Sequence, residues 1–149
     1  MNSKADVADF ISQPTLALVG VSRSGKKFSN AAMKELREKG YKVYPVNRNG
    51  GTAEGEPIYA SLADLPEKVE AALVVVRPDD AAEAVRSAAA AGIQRVWLQG
   101  GSESPAALEA ARELGVKVIS GECILMFAGK NKLHGFHRFI WKLLGKLPN

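Results

Sequence analysis

The chain has one cysteine, Cys123, among its 149 residues, so no disulfide can form within it. Its fold must be held by a packed core, and a reducing compartment is the default, which predicts a cytoplasmic protein. Long apolar runs are also missing. None approaches the roughly 20 residues a membrane-spanning helix needs, so no integral membrane segment is expected. Residues 1–13 set Lys4, Asp6 and Asp9 among few apolar side chains and do not read as a secretion signal. Histidine is scarce: His134 and His137 stand three apart with no cysteine or carboxylate beside them, too little for a metal site. Acid is absent after Glu122, while Lys130, Lys132, Arg138, Lys142 and Lys146 follow. These five charges exceed the net +4 of the whole chain, so the body is near neutral and the basicity belongs to the tail. A basic face for nucleic acid is therefore not expected on the body.

What remains is ordinary globular material: 46% of residues are apolar, enough for the core of one domain. The apolar residues come in short runs. Residues 15–20 and 71–76 are almost wholly apolar, as in strands covered on both faces of a parallel sheet. Residues 41–46, 95–98 and 116–119 predict three more strands. Between them, residues 29–40, 79–91 and 105–114 show helical spacing, each closed by a glycine: Gly40, Gly92 and Gly115. Gly50 and Gly51 mark a loop, and Ile58-Tyr59 an extra short strand or a turn. Residues 61–66 predict a helical turn capped by Ser61, with Asp64 placed to meet free backbone amides. Parallel strands need helical crossovers, so the alternation predicts a doubly wound α/β sheet of five strands. Trp97 falls inside a strand and reads as core.

In such sheets ligands sit at the carboxyl ends of the strands. The first strand-to-helix loop runs Gly20-Val-Ser-Arg-Ser-Gly-Lys-Lys-Phe-Ser29. Gly20 permits a tight turn, Ser22, Ser24 and Ser29 offer hydroxyls, and Lys26 and Lys27 add charge beside a helix N-terminus. Together these predict an anion site rather than a merely solvated loop. Two familiar phosphate motifs fail here. Gly20 to Lys26 matches G-x-x-x-x-G-K, but Lys27 stands where a triphosphatase needs Ser or Thr for magnesium. A dinucleotide fingerprint needs glycine at position 22, where Ser22 stands, and an acid ending the second strand, which instead runs Tyr44-Pro-Val-Asn-Arg48. An arginine there suits an extra phosphate on the ribose. That leaves NADP or the 3′-phosphorylated ADP of coenzyme A.

Four segments fall in order: Leu18-Val-Gly-Val-Ser22, Gly40-Tyr-Lys-Val-Tyr-Pro-Val-Asn47, Tyr59-Ala-Ser-Leu-Ala-Asp-Leu-Pro66 and Val96-Trp-Leu-Gln99. In this arrangement, over about residues 13–127, the chain resembles the small stand-alone CoA-binding proteins. These are relatives of the CoA-binding domain of succinyl-CoA synthetase α subunits. The resemblance implies a Rossmann-like domain over residues 1–128 that holds CoA or an acyl-CoA along the strand ends. It places Val21, Ser22 and their neighbours at the pyrophosphate, and Asn47 and Arg48 at the adenosine ribose and its 3′-phosphate. Val76, Arg77 and Pro78 would line the adenine or pantetheine side, and Gln99 and Cys123 would lie toward the thiol. Two departures stand out. Many relatives carry proline where Arg48 stands, so its use as a phosphate ligand is inferred from its charge. Residues 121–127 are also more apolar than is usual there, which would partly close the thiol end.

Cys123 reads either as a small buried hydrophobe, the commoner case, or as a thiol able to form a mixed disulfide with CoA. The phosphorylated histidine of the synthetases has no counterpart, and no Tyr–Lys or His–acid pair offers a proton. The expectation is a binding protein that is not an enzyme, with an NADP-binding short Rossmann oxidoreductase as the alternative. Residues 129–149 predict a basic amphipathic helix with Leu133, Phe136, Ile140, Leu143, Leu144 and Leu147 along one side. Such a stripe ordinarily packs, here on the body or on a second subunit in a homodimer; an anionic membrane surface and an acidic protein partner are the other two readings.

Overall fold

The computed structural model describes residues 3–53 and 55–127. The chain opens with a helix, α1 (Lys4–Ile11), capped by Ser3, whose Oγ accepts from the Asp6 amide at 2.9 Å. Val7, Phe10 and Ile11 recur at helical spacing and are buried. Strand β1 (Thr15–Val19) leads through the serine-rich loop to α2 (Phe28–Glu38) and back to β2 (Lys42–Val46). A small antiparallel hairpin follows, β3 (Thr52–Ala53) with β4 (Glu56–Pro57), and then a 3-10 turn, Leu62–Asp64. The second half is β5 (Ala71–Val74), α3 (Pro78–Ala90), β6 (Arg95–Gln99), α4 (Pro105–Leu114) and β7 (Lys117–Glu122), closed by a 3-10 turn, Ile124–Met126.

Five strands pair in the order β2-β1-β5-β6-β7, every pairing parallel. Strand side chains alternate between the two faces, which divides the core in two. Leu16, Leu18, Leu73 and Trp97 face α1 and α2, whereas Ala17, Ala72, Val74, Val96 and Leu98 face α3 and α4. The sheet is thus wound on both sides, as the alternation of elements predicts. Alanines dominate the buried faces of α3 (Ala81, Ala84, Ala88) and α4 (Ala107, Ala110, Ala111), so these helices lie close to the sheet and to each other. Trp97 is fully buried, edge-on to Phe10 at 5.3 Å, and its Nε1 donates to the Glu122 carbonyl at 3.0 Å.

Several expectations need correction. The amino-terminal segment, to which the sequence assigns no element, is a helix: three apolar side chains on one face suffice to dock it over β6 and β7. Ser61 does not cap its turn through the backbone; its hydroxyl donates to the Asp64 carboxylate at 3.0 Å, so the two polar groups satisfy each other. Tyr59 bridges in parallel to Val46, extending the edge of the sheet past β2. The last strand runs to Glu122, with its register shifted between Leu98 and Gln99. The carboxy-terminal helix expected over residues 129–149 lies outside the described residues, as do His134 and His137. No helix among the described residues is long and apolar enough to cross a membrane.

Tyr41 ties α1 to β2. Its buried hydroxyl donates to the Ile11 carbonyl at 2.5 Å, and burial holds its pKa well above the ordinary value of 10.0. The native state therefore keeps this proton while the unfolded chain loses it above about pH 10, so the stabilisation is full below that pH and declines above it. Tyr41→Phe should cost about 1 kcal/mol at neutral pH. The gap to wild type should then narrow as urea unfolding is repeated from pH 9 to pH 11; a gap constant over that range would refute the coupling.

Candidate functional site

Three strands end beside one another where the chain reverses direction across the sheet: β2, β1 and β5. Their backbones meet at Gly20. The Gly20 amide donates to the Val46 carbonyl at 2.8 Å, and the Val75 amide donates to Val19 at 2.9 Å. A β-carbon on Gly20 would stand 2.0 Å from the Val75 carbonyl oxygen, and its φ of +102° is unfavourable to any side chain. Only glycine fits between these strand ends.

Above this junction, on the side of the sheet covered by α3, opens a cleft of about 330 Å³. This volume lies within the range of small-molecule sites. Gly20, Asn47 and Arg48 line it from β1 and β2, Val76 and Arg77 from beyond β5, and Asp80, Glu83 and Ser87 from α3. Ser61 and Leu62 close it from the 3-10 turn. Asn47 is a brace: its Nδ2 donates to the Val21 carbonyl at 2.8 Å and its Oδ1 accepts from the Asn49 amide at 2.9 Å. The guanidiniums of Arg48 and Arg77 flank the Asp80 carboxylate at 4.0 and 3.6 Å, and both side chains are largely exposed, at 74% and 79%. At these distances and exposures the pairs are weak. The rim therefore sets two exposed arginines around the Asp80 carboxylate, with Glu83 a second acid on the lining.

The residues singled out in the sequence divide into three groups. Gly20, Asn47, Arg48, Val76 and Arg77 come together on the cleft, and Pro78, exposed at the first position of α3, stands next to it. Val21, Ser22, Ser24 and Lys27 belong to the loop leading to α2, and Ser29 to its first turn, on the other side of Gly20. There Val21 is buried in the core, and Ser29, also buried, accepts the Ser22 amide at 3.1 Å. Ser22 and Ser24 share a hydroxyl–hydroxyl bond of 2.9 Å, and their oxygens also accept the amides of Ser24 and Lys26. The Lys27 side chain is exposed. Gln99 and Cys123 lie at the ends of β6 and β7. Buried Gln99 accepts the Ile124 amide at 3.1 Å, and Cys123, half-buried, precedes the last 3-10 turn. Sequence reasoning overlooked Asp80, although its place three residues after Arg77 in the first turn of α3 was a signal. It also overlooked Arg23, whose aliphatic stem crosses Gly51 so closely that a β-carbon there would lie 2.6 Å from Cδ.

A family model described as a CoA binding domain matches residues 14–128. The chain belongs to this family. Among solved structures, the CoA-binding domain is similar to a hypothetical protein from Pyrococcus horikoshii OT3. The TM-score is 0.77 at 31% identity, over 84% of this chain and 89% of that one. It is also similar to a conserved hypothetical protein from Pyrococcus furiosus, with a TM-score of 0.68 at 35% identity over 74% and 95% of the two chains. Among curated proteins it is 26% identical over 126 residues to the α subunit of acetate–CoA ligase [ADP-forming] II from Pyrococcus furiosus, covering 77% of this chain and 28% of the subunit. The chain spans less than a third of the length of the curated relatives it matches. The four segments that carried the resemblance in the sequence lie within the matched region.

The backbone contact at Gly20 separates two kinds of glycine in this CoA-binding domain. Gly25 also has a positive φ, +76°, but nothing lies within 4 Å of its β-position. Gly25→Ala should cost only about 1–2 kcal/mol of backbone strain. Gly20→Ala must in addition push two strands apart and should lower stability by more than about 3 kcal/mol, or prevent folding. Equal unfolding midpoints in urea would contradict the convergence of strands at Gly20.

Proposed function

We propose that this CoA-binding domain holds coenzyme A, free or acylated, and carries, senses or shields it without chemistry of its own. The observation that carries the reading is Arg48 at the end of β2, on the cleft, where an NAD-binding sheet places an acid for the ribose hydroxyls. Family membership favours CoA over NADP as the nucleotide with the extra phosphate. The names of the curated relatives point the same way, since they are CoA ligases and this chain corresponds to a minor part of each.

The cleft residues fit the adenosine end. Arg48 and Arg77 would pair with the 3′-phosphate, and Asn47 would keep the β2 end in place beneath the ribose. Val76 supplies an apolar surface for adenine or the pantetheine arm. The hydroxyls of Ser22 and Ser24, with Lys27, would meet the pyrophosphate from the α2 side. Gln99 and Cys123 would then lie toward the thiol end.

Calorimetric titration with CoA, dephospho-CoA and NADP⁺ tests the reading. CoA should bind most tightly, and Arg48→Ala should weaken it by roughly 1.5–3 kcal/mol, the scale of a charge-assisted phosphate contact. The same substitution should bring CoA and dephospho-CoA close together. Tighter binding of NADP⁺, or no binding of CoA, would overturn the assignment.

A further inference from the structure

The cleft holds one feature that CoA binding does not itself require. Asp80 stands on the rim between its two arginines. Arg48 Nη1 stands 4.0 Å from one carboxylate oxygen and Arg77 Nε 3.6 Å from the other. The two arginines come from different elements, the end of β2 and the residue before α3, so one carboxylate bridges both sides of the cleft. Asp80 is fixed from its own side: its amide donates to the Arg77 carbonyl at 2.9 Å, and it sits in the first turn of a 13-residue helix, where the dipole favours a negative charge. The arginines are exposed, whereas Asp80 is two-thirds covered.

We propose that Asp80 is a specificity-determining residue, an internal anion that a ligand phosphate must displace from Arg48 and Arg77. A terminal phosphomonoester carries nearly two charges and three acceptor oxygens, and can engage both guanidiniums at once. Asp80 thus sets a threshold. It lowers the affinity for every ligand that uses the arginine pair and leaves untouched a ligand with no phosphate there, so it holds down the preference for a phosphomonoester.

The inference rests on the CoA reading of the cleft and is tested by the ratio of CoA to dephospho-CoA affinity, measured by calorimetry. Asp80→Asn keeps the shape and removes the charge, and it should raise the ratio by about three- to tenfold, the scale on which two exposed ion pairs compete. In an Arg48→Ala, Arg77→Ala background the same substitution should leave the ratio where that background sets it. Circular dichroism of the variants checks that they fold. A ratio unchanged or lowered by Asp80→Asn would overturn the inference; a lowered one would mean that Asp80 aims the arginines instead of competing for them. Failure of wild-type protein to bind CoA would overturn the underlying reading as well. A wild-type preference for CoA with no effect of Asp80→Asn would remove this inference alone.

Discussion

Three strand ends can crowd together in this sheet because one residue lacks a β-carbon. With the Val75 carbonyl 2.0 Å from where that carbon would stand, Gly20 lets β1 and β5 part only after their last shared hydrogen bond. The Val46 carbonyl, accepting from both Gly20 and Val21, brings the end of β2 to the same point. Asn47 then braces the loop above by bonding the Val21 carbonyl, and Arg48 is carried onto the rim. Val76 and Arg77 arrive from the opposite side because β5 is the other neighbour of β1. The cleft is a consequence of strand order and a missing methyl group, and its charges are attached to the frame so created.

That frame is rigid where the chemistry is weak. The arginine–aspartate pairs are long and exposed and contribute little to stability. They are accordingly free to be rearranged by a ligand at small cost to the fold. The polar groups that do hold the frame are buried and fully engaged: Ser29, Asn30 and Gln99 each bond a backbone group of a neighbouring loop. Asn30 is instructive, since its Nδ2 donates to the Ser22 carbonyl while its Oδ1 accepts the Lys27 amide, fixing both ends of the serine loop from inside α2.

The elements follow from the sequence as far as composition forces them. Ala71 to Val74 is apolar throughout and buried throughout, and Pro105 to Gly115 carries its own start and stop signals, so both were legible. The helix at residues 4–11 was not, because its buried face is only Val7, Phe10 and Ile11, and those count only once β6 and β7 are there to receive them. In the site, glycine at position 20 and arginine at 48 announce themselves by type. Ser29 did not: a hydroxyl in an anion loop looks like a ligand group until its partner is seen to be the Ser22 amide. Asp80 was missed for the converse reason, since an acid in the first turn of a helix has an ordinary explanation in the helix dipole.

The hydrogen bonds of the serine loop bear on what kind of ligand the two sides of Gly20 can share. The amides of Ser22, Ser24, Lys26 and Lys27 are all taken by side-chain oxygens, so they do not form a free nest of N–H groups. What the loop presents outward is hydroxyls and lysine ammonium groups, suited to a diphosphate held by side chains. The arginine pair stands across Gly20, on the α3 side of the sheet, and the proposed function makes it the second phosphate position. Under the proposed function, a ligand that satisfies both must carry phosphates at two separated places on one nucleotide. A mononucleotide fills one position and leaves the other to solvent, whereas the 3′-phosphate and the pyrophosphate of CoA lie on opposite sides of one ribose. The geometry around a single glycine thus bears on the choice among phosphate ligands, because it sets the serine loop and the arginine pair on opposite sides of one junction.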